Sequence, residues 1–166
     1  MASVLATALS QLALSHRDAG ETEFEGVKRR VLVLKPGEEE MVAVELGAKT
    51  VFALTVSLRE DERRKVLSLP EASRAYFRDS VLREILQGRT ESQVTIDGRA
   101  EGPGNVSISL HQTVVLRRVD QAALQRVHDA IVELVVSANR CRIALGGLRA
   151  LSSESPSSTS DDGMFA

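Results

Sequence analysis

Residues 52–58 alternate large apolar side chains with small or polar ones more regularly than any other part of the chain. The apolar positions are Phe52, Leu54, Val56 and Leu58. Because successive side chains of a β-strand point to opposite faces, this period of two predicts a strand with one buried face. Residues 27–35 and 41–46 have a similar character, and turn signals at residues 36–37 and 47–50 separate the three runs. We therefore expect three antiparallel strands with one buried face and one more hydrated face.

Two segments outside this region repeat their apolar residues with the period of an α-helix. Residues 3–17 carry leucines at positions 5, 9 and 12, preceded by Ser3 as the N-cap. Residues 69–86 begin with Pro70 in the first turn and are followed by Gly88, a residue typical of a helix C-terminus. Both segments are predicted to be amphipathic helices.

The longest predicted helix begins at Asp120, its N-cap, and ends at Gly146 and Gly147. At 1.5 Å per residue its length is about 39 Å, which is long for a domain of this size. We therefore expect part of its apolar stripe to cover the sheet and another part to meet a partner. The stripe consists of Leu124, Val127, Ile131, Leu134, Val135, Ala138 and Cys141.

The remaining segments complete the predicted topology. Residues 93–97 and 106–116 alternate like strands, with Gln112 marking a bulge or a less buried position. Residues 18–26 and 98–105 are rich in glycine and predict loops, while residues 59–65 predict an exposed connection or a helical turn. The fold class is therefore α+β, in the order helix, three strands, helix, two strands, helix, with an antiparallel sheet packed by helices.

The composition limits the class of protein. Of 166 residues, 43% are hydrophobic, which is enough for a core. The net charge of -2 creates no strong field for nucleic acid, and the 3% of aromatic residues leaves little for stacking on bases. A single cysteine, Cys141, excludes an intramolecular disulfide, and no apolar run approaches the ~20 residues of a membrane span. Because the N-terminus lacks the basic region of a signal peptide, we expect a cytoplasmic protein with no membrane partner.

No segment has the spacing of a catalytic, cofactor-binding or metal site. His16, His111 and His128 lie on three different predicted elements, without a second ligand at metal-binding spacing. Ser107, Ser109 and His111 share one face of a predicted strand, so a small-molecule sensor or enzyme is one alternative. That face lacks a nucleophile turn and an orienting third group. A solvated polar face is the preferred interpretation, and we expect no enzyme, no cofactor and no metal.

Two pairs of arginines are candidates for an anion patch. Arg29 with Arg30 and Arg117 with Arg118 lie on predicted strands that could neighbour each other. Such a patch would suit a nucleic-acid-associated factor. Acidic clusters elsewhere and the shortage of aromatic residues argue against general nucleic-acid binding. Charges that prevent edge-to-edge pairing of strands are the preferred interpretation.

The C-terminal segment differs from the rest of the chain. Residues 1–149 are predicted to form a single α+β domain, and residues 150–166 a disordered, serine-rich, acidic tail. The end of the tail is similar to the acidic, aromatic-tipped tails with which bacterial single-stranded-DNA-binding proteins recruit partners, although their terminal Pro-Phe is absent. A solubilising tail is the alternative. The candidate protein-interaction residues are Asp161, Asp162, Met164 and Phe165.

The stretch LPEASRAYFRDSVLREIL, residues 69–86, leads into a predicted strand pair. Together with the order of elements over residues 3–146, it resembles the type III secretion chaperone-like α+β fold, which includes small sensory-regulator-like domains. The resemblance implies a twisted antiparallel sheet packed by helices, frequent dimerisation and action by binding other proteins, with no catalytic residues carried over. We therefore expect a non-enzymatic protein-interaction or chaperone-like protein that forms a homodimer.

Overall fold

The computed structural model describes residues 3–24, 26–36, 39–85, 91–97 and 105–153. These residues form four helices and six strands of an α+β fold. In chain order the elements are α1 (Val4–Gln11), β1 (His16–Phe24), β2 (Val27–Leu34), β3 (Met41–Leu46), β4 (Lys49–Ser57), α2 (Glu60–Ser68), α3 (Glu71–Ile85), β5 (Glu91–Asp97), β6 (Asn105–Val115) and α4 (Gln121–Ser153).

The six strands form one antiparallel sheet in the order β1-β2-β3-β4-β6-β5. The alternation at residues 52–58 is confirmed in β4, where Phe52, Leu54 and Val56 are buried. Gly47 in the β3–β4 turn has φ +67°, a conformation that glycine adopts without a Cβ clash. Gln112 pairs with Phe52 in an unbroken ladder, so it is a less buried position and not a bulge.

The loop predicted over residues 18–26 is wrong, because most of it belongs to the edge strand β1. Four strands, β1 to β4, therefore precede helix α2, where three were predicted. The ladder between β1 and β2 shifts register between Asp18 and Gly20, and Gly20 has φ +89°. Residues 17–23 are all exposed. Strand β1 is held by backbone hydrogen bonds to β2 and has no buried apolar face. Its sequence therefore lacks the alternation of apolar and polar residues by which a strand is predicted.

The exposed connection predicted over residues 59–65 forms most of helix α2. The side chain of Glu62 accepts a 2.8 Å hydrogen bond from the backbone N–H of Arg59. Glu60 Oε1 accepts hydrogen bonds of 2.7 Å from Arg63 and 3.0 Å from Arg64. Pairs three and four residues apart stabilise a helix surface. The charges that suggested a solvated connection therefore support a helix.

Both terminal helices begin where predicted. Ser3 Oγ accepts a 3.0 Å hydrogen bond from the Ala6 N–H, and Asp120 Oδ1 accepts one of 2.8 Å from the Ala123 N–H. Helix α1 ends at residue 11 and not near residue 17. The expected end of the last helix at residues 146–147 is wrong, since α4 continues to residue 153 and Gly146 lacks a positive φ. Residues 150–153 of the predicted tail belong to α4, and the prediction stays open for residues 154–166, which lie outside the described part.

One core cluster joins the helices to the sheet. It contains buried side chains from all four helices together with the inward-facing residues of β2, β3, β4 and β6. Helix α4 contacts β4 and β6, and α1 and α3 pack against α4. Cys141 is fully buried in this core, and burial raises the pKa of its thiol to about 12. This burial agrees with the place of Cys141 in the apolar stripe predicted for the last helix.

Candidate interaction surfaces

Five valines form an apolar surface on the outside of the sheet, opposite the core. Val31 on β2 pairs with Val44 on β3, which pairs with Val51 on β4. Val33 pairs with Val42 in a second row. Since directly paired residues share one face of a sheet, the five side chains are neighbours. The valine face, as we call it, consists of Val31, Val33, Val42, Val44 and Val51.

No helix in the described part of the chain covers the valine face. All four helices contribute their buried apolar residues to the core cluster, and none of the five valines belongs to that cluster or packs against it. Val33 is 8% exposed, and the other four valines are partly buried. Exposed Thr55 and Thr113 and the salt-bridged Arg17 lie around the face. An apolar centre with a polar rim is typical of a protein-binding surface.

The valine face was not predicted from the sequence, because the outer side of all three predicted strands was expected to be hydrated. In β3 the fully buried residues are Met41 and Ala43, whereas Val42 and Val44 lie on the outer side. The available signal was the uninterrupted apolar run at residues 31–34 and again at 41–44. Such runs are typical of strands that are apolar on both faces.

Helix α4 carries a second uncovered apolar surface. Val132 is 44% exposed, Val136 38% and Ile143 75%. At 3.6 residues per turn these side chains fall within an arc of about 40°, directly opposite the core residues Val127 and Leu134. The outer stripe of α4, as we call it, consists of Val132, Val136 and Ile143. The stripe predicted from the sequence, from Leu124 to Cys141, lies in or against the core along its whole length. The exposed apolar surface of α4 is therefore a different one from the stripe that was expected to meet a partner.

Opposite charges lie along one side of the outer stripe. Asp129 is exposed and accepts a 2.7 Å hydrogen bond from Gln125 Nε2. Arg140 lies three turns further along the helix on the same side of the stripe. Arg142, on the other side, pairs with Glu39. One side of the stripe therefore carries the Asp129 carboxylate near its N-terminal end and the Arg140 guanidinium near its C-terminal end.

Where β6 ends and α4 begins, arginines line an open groove of about 650 Å³. Arg118 Nε donates a 2.8 Å hydrogen bond to Asp120 Oδ2. The backbone hydrogen bond from Ala123, followed by that from Arg118, holds the pKa of Asp120 below its usual range. Three guanidinium groups and one carboxylate give the groove a positive net charge. The arginine groove, as we call it, is lined by Val115, Arg117, Arg118, Asp120 and Arg126.

The structure does not bring the two predicted arginine pairs together. Arg29 and Arg30 lie on β2, and the whole of β3 and β4 separates β2 from β6. The expectation that the pairs lie on neighbouring strands is therefore wrong. Arg30 donates hydrogen bonds of 2.6 and 2.9 Å to Asp18 Oδ2 on β1. Arg126, which sequence reasoning did not select, joins Arg117 instead because the chain reverses direction between β6 and α4.

Ser107, Ser109 and His111 lie on the outer face of β6 and are partly buried. Their ladder with β4 is continuous, so Ser109 does not sit on a sharp nucleophile turn. Across the described ranges, no group of three His, Cys, Asp or Glu side chains could hold a metal ion. A sensor or enzyme that uses this face stays a hypothesis.

The predicted interaction residues of the tail, Asp161, Asp162, Met164 and Phe165, lie outside the described residues, and their role stays a prediction. Among the helices that the structure describes, none combines the length and apolar character needed to cross a bilayer.

Comparison with known proteins gives a likeness of fold alone. No family model matches the chain, and no curated protein matches it. A protein of uncharacterised function from Methanothermobacter thermautotrophicus superposes with a TM-score of 0.65 and 12% identity, over 86% of this chain and 94% of that one. YbjN from E. coli superposes less well, with a TM-score of 0.45 and 9% identity, over 89% of this chain and 90% of that one. The chain therefore shares its α+β architecture with a protein to which it has little sequence similarity.

Proposed function

We propose that the protein is a non-enzymatic, chaperone-like protein that binds a polypeptide on the valine face and acts as a cytoplasmic homodimer. The observation that carries the proposal is the valine face itself. It places five apolar side chains on three adjoining strands, away from the core that the helices cover. Residues 69–86, most of which form α3 and lead into the β5–β6 pair, resemble chaperone-like domains and support the same conclusion.

The chemistry of the face suits an amphipathic partner. Burial of apolar surface contributes roughly 25 cal/mol per Å², so partly exposed valines contribute to binding when a partner removes them from water. Branched side chains at Cβ are stiff, so little side-chain entropy is lost on contact. A segment with one apolar side would cover the valines while its polar side met the threonines and the Arg17–Glu40 ion pair.

Quantitative pull-down from the protein's own cells tests the proposal. Val42→Lys together with Val44→Lys places two charges on the face, and we expect the captured partner to fall at least tenfold. The matched control is Ser10→Lys with Gln11→Lys, two exposed positions at the end of α1, which packs on the core side of the sheet. Circular dichroism establishes that both variants are folded. Equal losses in both variants, or no loss in the valine variant, would contradict the proposal.

The arginine groove supports a second candidate function, the binding of a nucleic-acid phosphate. The observation that favours it is the addition of Arg126 to Arg117 and Arg118 around one groove. Fluorescence anisotropy with single- and double-stranded DNA and RNA at about 50 and about 200 mM salt tests it. We expect Arg117→Ala with Arg126→Ala to weaken binding, and Arg64→Ala on α2 to leave it unchanged. Absence of salt-dependent binding by the native protein would end this candidate.

A further inference from the structure

We propose that the outer stripe of α4 is the contact between two copies of the chain, paired antiparallel across a two-fold axis near residue 134. The inference rests on the proposed homodimer and is independent of the valine face. It names the surface, the direction and the register of the pair. Nothing in the described residues covers the stripe.

The residues of the stripe are unusual for a helix face that meets only water. Val and Ile are weaker helix formers than the Ala, Glu, Lys or Arg that usually occupy exposed helix positions. The stripe nevertheless repeats them at Val132, Val136 and Ile143, and Ile143 is 75% exposed. On the opposite side, Ala123, Leu134 and Cys141 pack in the core. Helix α4 therefore presents two apolar sides, of which the fold uses one.

The charges beside the stripe argue for a second copy as the occupant. In an antiparallel pair related by a two-fold axis, the same side of each helix meets across the contact. With the axis near residue 134, Asp129 of each copy faces Arg140 of the other. In a parallel pair opposite sides meet, and these two residues do not face each other. The Asp129–Arg140 pair therefore favours the antiparallel direction.

The same register pairs the apolar side chains. Val132 of one copy meets Val136 of the other, and Ile143 lies over the hydrocarbon part of Gln125. The apolar pairs place the two-fold axis at residue 134, and the Asp129–Arg140 pair places it between residues 134 and 135. The two positions differ by only half a residue. The seam from residue 125 to 143 is about 27 Å long, at 1.5 Å per residue. A contact of this size belongs to the weak class, so we expect dissociation on the order of tens of micromolar.

Sedimentation equilibrium up to about 300 µM measures the association, and single substitutions locate it. We expect Val136→Glu to weaken association more than tenfold, and Tyr76→Glu, at an exposed apolar position on α3, to leave it unchanged. The two-fold pair contains two Asp129–Arg140 contacts, so Asp129→Arg or Arg140→Asp alone should weaken association about two- to thirtyfold, as expected for the loss of two exposed ion pairs. The double variant Asp129→Arg with Arg140→Asp restores the pairing and should recover native association.

Disulfide trapping determines the register, since Cα atoms more than about 7 Å apart cannot be bridged. A mixture of the Val132→Cys and Val136→Cys variants should form a cross-linked heterodimer. Ile143→Cys alone should not, because its two copies lie about 27 Å apart. Cys141 is buried and does not compete.

Each outcome has a separate meaning for the two proposals. A protein that stays monomeric at every concentration overturns both the contact between α4 helices and the proposed homodimer. Binding of a polypeptide by the valine face is then tested separately, by the pull-down. A dimer that is insensitive to Val136→Glu, or that cross-links through Ile143→Cys alone, overturns the seam and retains the homodimer. Failure of the charge reversal to recover association overturns the antiparallel register.

Discussion

At the scale of single residues, polar side chains determine where the helices of this protein begin. Ser3 and Asp120 could be identified as N-caps from the sequence, because each is a short polar residue just before an apolar helical repeat. The arginines of the candidate anion patch could not be grouped from the sequence. Their proximity depends on the tertiary fold: the chain reversal between β6 and α4 brings Arg126 to Arg117, and the strand order places β3 and β4 between Arg29 and β6.

Glu60 on α2 gives a residue-scale prediction about pH. Hydrogen bonds from Arg63 and then Arg64 lower its pKa from 4.5 to about 2. Because the folded pKa is below the unfolded value, the stability from these pairs is present above pH 4.5 and is lost as the pH falls from 4.5 towards 2. Glu60→Gln should therefore flatten the pH dependence of the unfolding midpoint over this interval, by a small amount because the group is exposed.

Urea unfolding followed by circular dichroism between pH 2 and 5 checks this prediction. Glu71→Gln, at an exposed position in the first turn of α3, is the control for loss of a surface carboxylate. An identical pH profile in native protein and Glu60→Gln would show that the ion pairs of α2 do not stabilise the fold.

At the scale of elements, helices and strands that bury an apolar face could be predicted from the sequence. Elements without a regular apolar face could not. The alternation of β4 and the apolar repeat of α4 identified both elements, since burial selects their side chains at a fixed period. Strand β1 is exposed on both sides and carries no such pattern. Helix α2 has a very polar first half, so its ion pairs and its capping glutamate resemble the charges of a solvated connection.

The C-terminal part of α4 gives a prediction at this scale. Gly146 lies inside the helix, its φ is not positive, and no heavy atom lies within 4 Å of an added Cβ. Gly146→Ala should therefore raise the free energy of unfolding by about 0.5–1 kcal/mol. The matched control is Gly47→Ala in the β3–β4 turn, where φ is +67° and a loss of about 1–2 kcal/mol is expected.

Urea unfolding of the two alanine variants measures both changes. Destabilisation by Gly146→Ala would mean that the helix ends at this glycine in a left-handed conformation, as the sequence alone suggested.

At the scale of the whole molecule, the described helices lie against one face of a six-stranded sheet, and none of them covers the other face. The sequence could predict the α+β class, since runs of strands and separate helices are visible in it. It could not predict which side of β2 and β3 faces the helices, because both sides carry apolar residues. The valine face exists because the buried side of β3 is made by Met41 and Ala43, which leaves Val42 and Val44 outside.

The central claim is that the valine face contacts another polypeptide, and photo-cross-linking from that face tests it most directly. A photoreactive phenylalanine analogue at position 44 is compared with the same group at position 64, an exposed site on α2. In the protein's own cells, we expect a discrete covalent adduct from position 44, reduced by Val42→Lys, and none from position 64. Adducts of equal yield and pattern from both positions, or none from position 44, would contradict the claim.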